Sequence, residues 1–557
     1  MSDTTMQPRP DAAAAPDRRG ILLVFVGLMT AMLLSALDQT IFSTALPTIV
    51  GDLDGVDHML WVTTAYILAA TIMMPVYGKL GDLVGRKPLF LGAIGLFMIG
   101  SVVGALSTGM TELIVGRAIQ GLGGGGLMIL SQAVIADIVP ARERGKYMGL
   151  MGGVFALASV IGPLLGGWFT ESIGWQWCMW INVPLGILAM ASVAIFLHPP
   201  AQDRAKPKLD IAGMILIAIA SASLVLVTSW GGGQYEWDSP VILSLIGLTV
   251  VAGVAFVLVE RRAVEPIMPL TLFKERNFNL TTAAGLLMGI AMFGTLAYMP
   301  TYLQMVAQVD ATEAGLLMIP MMGTMLPTSI IVGRIVSATG RYKWYPVSGA
   351  GVMTVAMYLL STMSYDQPIW LTCVYLGIFG AGLGLMMQVL VLVVQNTFPL
   401  RMVGTATAAN NYFRQIGASL GAAVVGSIFT NNLVDLLRDR VASGTADLSD
   451  ANSLTPSAVL ELPQEMQDVI VSSYNDALTP VFLYIVPLAL LALVLLLFVK
   501  EAPLRTTLDR DANAPSPATG EPGMDDVVVA DEAGREPALV GAADADAEES
   551  GTGSPRR

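Results

Sequence analysis

A chain of 557 residues that is 54% hydrophobic and 13% charged, with a mean hydropathy of +0.66, is too apolar to be soluble along its length and reads as a polytopic membrane protein. The formal net charge of −13 is local: residues 501–557 hold 13 acids and 5 bases, residues 431–478 hold 8 and 2, and about +1 is left for the rest. The acidity therefore belongs to two solvated segments, and no basic surface for nucleic acid is implied. Cys178 and Cys373 lie in or beside apolar runs without metal-ligand spacing, so neither a disulfide nor a metal site is expected.

Residues 1–19 are polar and rich in Pro and Ala, and are expected to be a disordered cytoplasmic N-terminus. Arg18 and Arg19 then precede an apolar run with no small-residue cleavage site, which reads as a retained first helix and not a signal peptide. Apolar runs of about 20 residues, long enough to cross about 30 Å of hydrocarbon, recur at 21–46, 60–79, 88–107, 113–136, 147–169, 178–197, 211–229, 241–259, 280–304, 314–333, 345–362, 369–394, 403–430 and 479–499, fourteen in all. Alternate loops carry the bases: Lys79, Arg86 and Lys87; Arg142, Arg144 and Lys146; Arg204, Lys206 and Lys208; Arg261, Arg262, Lys274 and Arg276; Arg334, Arg341 and Lys343; Arg401. The six loops facing the other way, up to 365–368, have none, so both termini are expected in the cytoplasm and the protein in the cell inner membrane.

The first run contains Asp38, in LLSALDQTIFSTALP, and no later run contains another acid. A carboxylate inside a bilayer span costs roughly 2.5–3.5 kcal/mol on insertion scales and is rare unless functional. Asp38 is therefore the expected protonatable group of a transporter. Arg117, in the fourth run, is one of two bases within spans; counted along each helix it lies about 8 Å, and Asp38 about 12 Å, below the outer surface, so the two are expected to pair. The other base is Arg414, about 18 Å from the inner end of its span, with no acid in the spans of its half. Gln388, Gln395, Asn410, backbone carbonyls or an anionic substrate group are its expected partners.

The sequence also echoes itself. GKLGDLVGRKP at 78–88 and GRIVSATGRYK at 333–343 share a Gly-x6-Gly-Arg frame 255 residues apart, and ALPTIV at 45–50 echoes YMPTYL at 298–303. The expected organisation is an N-terminal six-helix bundle (20–200), an inserted helix pair with flanking loops (201–276), a C-terminal six-helix bundle (277–500) including an extracytoplasmic loop (431–478), and a disordered acidic cytoplasmic tail (501–557). Gly121 to Gly126 formally satisfies a nucleotide-loop pattern, but it lies inside an apolar span with no preceding strand, so close helix packing is expected. His58 and His198 stand alone, no nucleophile motif or phosphate loop is present, and neither an enzyme nor an ATP-driven pump is indicated.

Four stretches together resemble the major facilitator superfamily, and within it the fourteen-span drug/proton antiporters of the EmrB/QacA type. They are Gly78-Lys79-Leu80-Gly81-Asp82-Leu83-Val84-Gly85-Arg86-Lys87 after the second span; Arg117-Ala118-Ile119-Gln120-Gly121-Leu122-Gly123-Gly124 in the fourth; Gly153 with Gly162-Pro163-Leu164-Leu165-Gly166-Gly167 in the fifth; and Leu37-Asp38-Gln39-Thr40-Ile41 with Ala45-Leu46-Pro47 in the first. The resemblance covers about residues 20–500 and implies an all-α integral membrane protein: two six-helix bundles plus two extra helices, without a cofactor and driven by the proton gradient. It implies export of small amphipathic or cationic compounds in exchange for protons by alternating access, with Asp38 and Arg117 as the coupling pair. Gly78, Asp82, Gly85, Arg86 and Lys87 would latch one conformation, with Ser337 at the place of Asp82 in the second copy. Gly153, Gly162, Pro163, Gly166 and Gly167 would form a hinge in the fifth span. A substrate cavity is expected from Gln39, Trp61, Tyr66, Tyr298, Gln304, Met321, Gln388, Asn410 and Arg414, with Met318, Met322, Met325, Met386 and Met387 as further candidates, since aromatic faces and thioethers suit varied lipophilic cargo. The protein is expected to be monomeric in its bilayer. A dedicated exporter of one metabolite, antibiotic, siderophore or lipid, and a membrane sensor or scaffold, remain the other readings of these residues.

Overall fold

The computed structural model describes residues 18–53, 58–197, 209–232, 234–440, 459 and 462–506. The described residues are helical throughout, apart from connecting turns and one bridge between Gly231 and Tyr235. This is the all-α membrane architecture expected from the hydropathy. In chain order the helices are α1 Arg18–Asp52, α2 Met59–Val84, α3 Arg86–Ala105, α4 Met110–Ile138, α5 Ala141–Ser172, the short α6 Trp177–Trp180, α7 Asn182–Phe196, α8 Ile211–Trp230, α9 Pro240–Glu260, α10 Arg276–Val306, α11 Ala311–Leu317, α12 Ile319–Thr339, α13 Trp344–Ser361, α14 Ile369–Thr397, α15 Leu400–Arg440 and α16 Gln464–Leu497.

Thirteen helices among the described residues are long and apolar enough to cross a membrane. The remaining expected span, 345–362, folds as α13, a helix of 18 residues whose apolarity is diluted by Tyr345, Ser348 and Thr354. Packing against α14 and α16 supports it, with Ala350, Met353 and Met357 fully buried. Of the expected loop at 431–478, the described residues are mostly helix. Phe429, Leu433 and Leu437 continue the buried stripe of α15, and Ile470, Tyr474 and Leu478 that of α16, so apolar spacing carries both helices past bilayer length, where Arg440 pairs with Asp476 at 2.6 Å. The acidic tail likewise begins as ordered chain: the Glu501 carboxylate accepts the backbone N–H groups of Tyr342 (2.7 Å) and Lys343 (3.3 Å), and Leu504 is buried. Residues 1–17, His198 with the basic stretch 204–208, 441–458 and 507–557 lie outside the described residues.

Two groups of helices pack around separate cores. In the first, α1 packs on α5 and α7, and α4 on α2 and α3; in the second, α10 packs on α15 and α16, and α14 on α12 and α13. They meet along two seams, α2 with α15 and α5 with α12. The inserted hairpin α8–α9 starts at the Asp210 N-cap, which accepts Gly213 N–H at 2.8 Å, and restarts at Ser239–Pro240. It touches both groups: Trp230 meets Trp61 edge-on at 5.4 Å, Ser221 bonds Tyr412 at 2.7 Å and Trp237 donates to Ser427 at 2.9 Å.

The repeated Gly-x6-Gly-Arg frame occupies matching places at the end that carries the basic loops. Its second glycine ends the helix with a positive φ in both copies, 108° at Gly85 and 75° at Gly340. Its first glycine is where the opposite group crosses: the backbone of Gly404 of α15 lies against Gly78, and that of Gly145 of α5 against Gly333. Gly85, at φ 108° and ψ 148°, sits in a region open essentially to glycine alone, whereas Gly340, at φ 75° and ψ −1°, is ordinary left-handed helix. Gly85→Ala is therefore expected to cost about 1–3 kcal/mol, and Gly340→Asn to be tolerated. Thermal unfolding of the two variants in detergent checks this, a clear fall in midpoint being expected for the first alone.

Candidate functional site

Asp38 is completely buried in the first group, where α4 and α7 deliver three donors to its carboxylate. Oδ2 accepts Arg117 Nη1 of α4 at 2.5 Å; Oδ1 accepts Gln120 Nε2 of α4 at 2.8 Å and Asn182 Nδ2 of α7 at 2.9 Å. Ser101 Oγ of α3 lies behind, accepting from Gln120 (2.7 Å) and Asn182 (3.2 Å). Arg117, 1% exposed, also reaches Gln120 Oε1 (2.8 Å) and the Val62 carbonyl (3.4 Å), and its guanidinium lies over the rings of Phe42 and Tyr66 at 4.2 and 4.4 Å. Tyr66 Oη bonds Ser35 Oγ at 3.1 Å. The pair expected from matching depths is thus formed, and Ser101, Gln120, Asn182 and Phe42 are additions. Gln120 was readable as the i+3 neighbour of Arg117 on one helix face; Ser101 and Asn182 come from helices that a single sequence does not align with the first.

The glycine run does the packing that brings α4 close. The backbone of Tyr66 and Ala70 of α2 lies against Gly121 and Gly125, and that of Ala93 and Phe97 of α3 against Gly123. On α5, Gly162 and Gly166 receive Thr40 and Thr44 of α1, and Thr40 Oγ1 donates to the Ala158 carbonyl at 2.9 Å. Gly153 faces Leu326 of α12, Gly167 meets nothing within 4 Å, and Pro163 lies inside an unbroken α5.

At the basic end, Asp82 reaches across the α2–α15 seam. Its Oδ1 accepts Gly404 N–H (3.1 Å) and Arg86 Nη2 (2.9 Å), and its Oδ2 accepts Thr405 N–H (2.7 Å) and Thr405 Oγ1 (2.8 Å). A carboxylate on the backbone N–H groups of the first turns of α15 is doubly favoured, by charge-assisted bonds and by the helix dipole. Arg86, 5% exposed, also holds Asp137 of α4 at 2.6 Å and contacts the Leu400 carbonyl at 3.4 Å. Gly78 and Gly85 shape this contact, but Lys87 turns away to the Ala194 carbonyl (2.8 Å). On the other seam Ser337 takes the place of Asp82, accepting Lys146 N–H at 2.9 Å at the start of α5. A carboxamide layer lies one step deeper: Asn411 Nδ2 donates to Gln132 Oε1 (2.9 Å) and Gln395 Nε2 to the Gln132 carbonyl (3.2 Å).

The expected cavity residues disperse. Gln39 is exposed beside Tyr66, Trp61 packs on the inserted hairpin, and Tyr298 lies between α10 and α15, bonded to the Ala422 carbonyl at 3.2 Å. Gln304 bonds back to Pro300, Met321 is buried against α14, and Asn410 donates to Thr282 at 3.2 Å. Gln388 lines a small cavity with Gly149, Ser329 and Gly333, and Arg414 stands between the groups, against Met128. Among the described residues no three His, Cys, Asp or Glu side chains are placed to hold a metal.

The sequence pattern of the Major Facilitator Superfamily matches residues 28–422. The chain belongs to that superfamily. An uncharacterised MFS-type transporter of Mycobacterium tuberculosis is 41% identical over 500 residues, 90% of this chain and 72% of its own length. Multidrug transporter protein MdtP of Bacillus subtilis is 39% identical over 419 residues, 75% of this chain and 77% of its own. Among solved structures, the proton:xylose symporter XylE superposes with a TM-score of 0.59 at 13% identity, over 87% of this chain and 96% of its own, a likeness of fold. The chain is thus a superfamily transporter, of a kind compatible with the fourteen-span EmrB/QacA group, and not an enzyme. For this superfamily member, removing either partner of the Asp38–Arg117 pair leaves the other charge buried, so Asp38→Asn and Arg117→Gln are each expected to cost about 3–5 kcal/mol. The double variant should recover part of that loss, which a double-mutant cycle on thermal unfolding in detergent measures.

Proposed function

We propose that this protein is a proton-coupled multidrug exporter of the cell inner membrane, exchanging small amphipathic compounds for protons by alternating access. The observation that carries the reading is the sealed Asp38–Arg117–Gln120–Asn182 network: a carboxylate buried in a membrane helix and held by a movable set of donors is the chemistry a proton-coupled carrier requires. The printed name of the Bacillus subtilis relative, a multidrug transporter, supports drug-like cargo. With the basic end in the cytoplasm, where both termini would lie, the Asp82 latch closes the inner side. In the cycle, Asp38 takes a proton from outside, Arg117 loses its ion pair and keeps Gln120 and the rings of Phe42 and Tyr66, and the two groups rock so that the space between them opens inward. The protein acts as a monomer and needs no cofactor besides the proton gradient.

Efflux of a lipophilic dye from energised vesicles tests the reading. Asp38→Asn is expected to abolish proton-driven efflux while leaving dye binding in place, and unchanged efflux would refute coupling through Asp38. Asp82→Asn keeps the shape of the latch and removes its charge, so efflux should fall about tenfold while dye binding persists, given roughly twofold stronger bonds to an ionised acceptor. Full activity of Asp82→Asn would reduce the latch to a topology signal.

A further inference from the structure

Arg414 has a charge and, among the described residues, no ionic partner for it. It lies 14 residues into α15 from Leu400, about 21 Å along the helix and so near mid-membrane. It is half-buried, and the one hydrogen bond described for its side chain is Nη2 against the Met128 sulfur of α4 at 3.8 Å. None of the ion pairs among the described residues includes it. This is the reverse of Arg117, which has a carboxylate, a carboxamide, a carbonyl and two aromatic rings.

Its level in the fold adds to this. One turn nearer the basic end, Asn411 and Gln132 close the gap between the two groups with a 2.9 Å bond, and Gln132 is one turn of α4 below Met128. The ladder of bonds across the seam therefore ascends from Asp82 through Gln132–Asn411 and stops at Arg414. Beyond it, Gly417 and Gly421 of α15 turn to the backbone of α10 within their own group. The half-buried guanidinium thus stands between the groups just past the last bond that joins them at this seam, beside the half-buried Met128, which packs against the cores of both.

We propose that Arg414 receives the anionic end of the cargo, and that the exporter's preferred substrates are amphipathic organic anions such as carboxylates or sulfonates carried on an apolar body. A planar fork of N–H donors matches such groups, a thioether is only a weak acceptor, and a cargo anion brings the missing countercharge with it. This rests on the export reading above and changes its electrical balance. One proton inward on Asp38 against one monovalent cation outward moves no net charge; against one monovalent anion outward it moves two positive charges inward, so the membrane potential would drive transport.

The test uses the full-length protein in inverted proteoliposomes with an acid lumen, the lipophilic anion anilinonaphthalene sulfonate and the lipophilic cation tetraphenylphosphonium, with binding of each measured in detergent. The expected result is anion uptake that a lumen-positive potential accelerates and that Arg414→Gln lowers about tenfold or more, the loss expected for a charge-assisted pair, with a smaller loss in Arg414→Lys, which keeps the charge without the fork. Tetraphenylphosphonium binding should be unaffected by Arg414→Gln. Uptake of the cation but not the anion, equal anion uptake by wild type and Arg414→Gln, equal loss of both probes in that variant, or displacement of the dye anion by chloride alone would each overturn the proposal. If neither probe moves in the wild type but the anion binds and Arg414→Gln abolishes that binding, the anion site stands and the export reading fails.

Discussion

The fold of the first helix group is constrained by one carboxylate that has no access to water. Asp38 needs a donor for every lone-pair direction it exposes, and it obtains them from α4 twice and α7 once, with Ser101 of α3 holding the two carboxamides in line. An ion pair alone would not compensate the desolvation of both charges at this depth; the further hydrogen bonds and the two rings over the guanidinium are what make the charged state tenable. Four helices must hold their relative positions within hydrogen-bond tolerance for that to work. The small-residue contacts of α4 with α2 and α3, and of α5 with α1, are the means: each lets backbones approach closely enough that polar side chains from sequence-distant helices converge.

The two seams are closed by related but unequal devices. The duplicated loops place Asp82 and Ser337 at the same point relative to the helix that each seam brings in, α15 and α5 respectively. Asp82 accepts from two backbone N–H groups, a hydroxyl and a guanidinium, so its seam is held by charge; Ser337 accepts one N–H and offers a neutral bond. Charge-assisted bonds are roughly twice as strong as neutral ones, so the α2–α15 seam is the firmer of the two. That is also the seam the inserted hairpin covers, with Trp230 on one side and Ser221 and Trp237 on the other.

Much of this was legible in the sequence because bilayer physics writes it plainly. Span length, the alternation of basic loops and a single intramembrane acid depend on local composition, and even the Asp38–Arg117 pairing follows from counting residues down two helices. The misreadings also have local causes. Hydropathy stops at the bilayer edge, so it does not show the helical continuation of α15 and α16 through apolar residues such as Leu437 and Tyr474, and acidic composition hides the short ordered stretch at Glu501 to Leu504. Which face a residue presents was harder still. Trp61 suits a cavity by chemistry yet stacks on the inserted hairpin, and Asn182 is unremarkable in sequence yet bonds Asp38, because both facts depend on packing between helices more than a hundred residues apart.

The Asp38–Arg117 pair and the Asp82 contact across the seam are not independent features, because the same two helices carry both. On α2, Val62 and Tyr66 touch Arg117, and Asp82 lies 16 residues on, about 24 Å along one unbroken helix. On α4, Arg117 binds Asp38 while Asp137, about 30 Å away, binds the Arg86 that Asp82 also holds. Between these ends the glycines of α4 lie against the backbone of α2 and α3, which leaves little room for the helices to slide or flex separately. Were α2 and α4 to turn together by a few degrees about the Asp38 end, the far end, about 24 Å away, would move by about an ångström, enough to take the bonds from Asp82 to Gly404 and Thr405 past the range where they hold. The glycine run in α4 thus does more than pack: it ties the Asp38–Arg117 pair and the Asp82 contact to opposite ends of one closely packed set of helices.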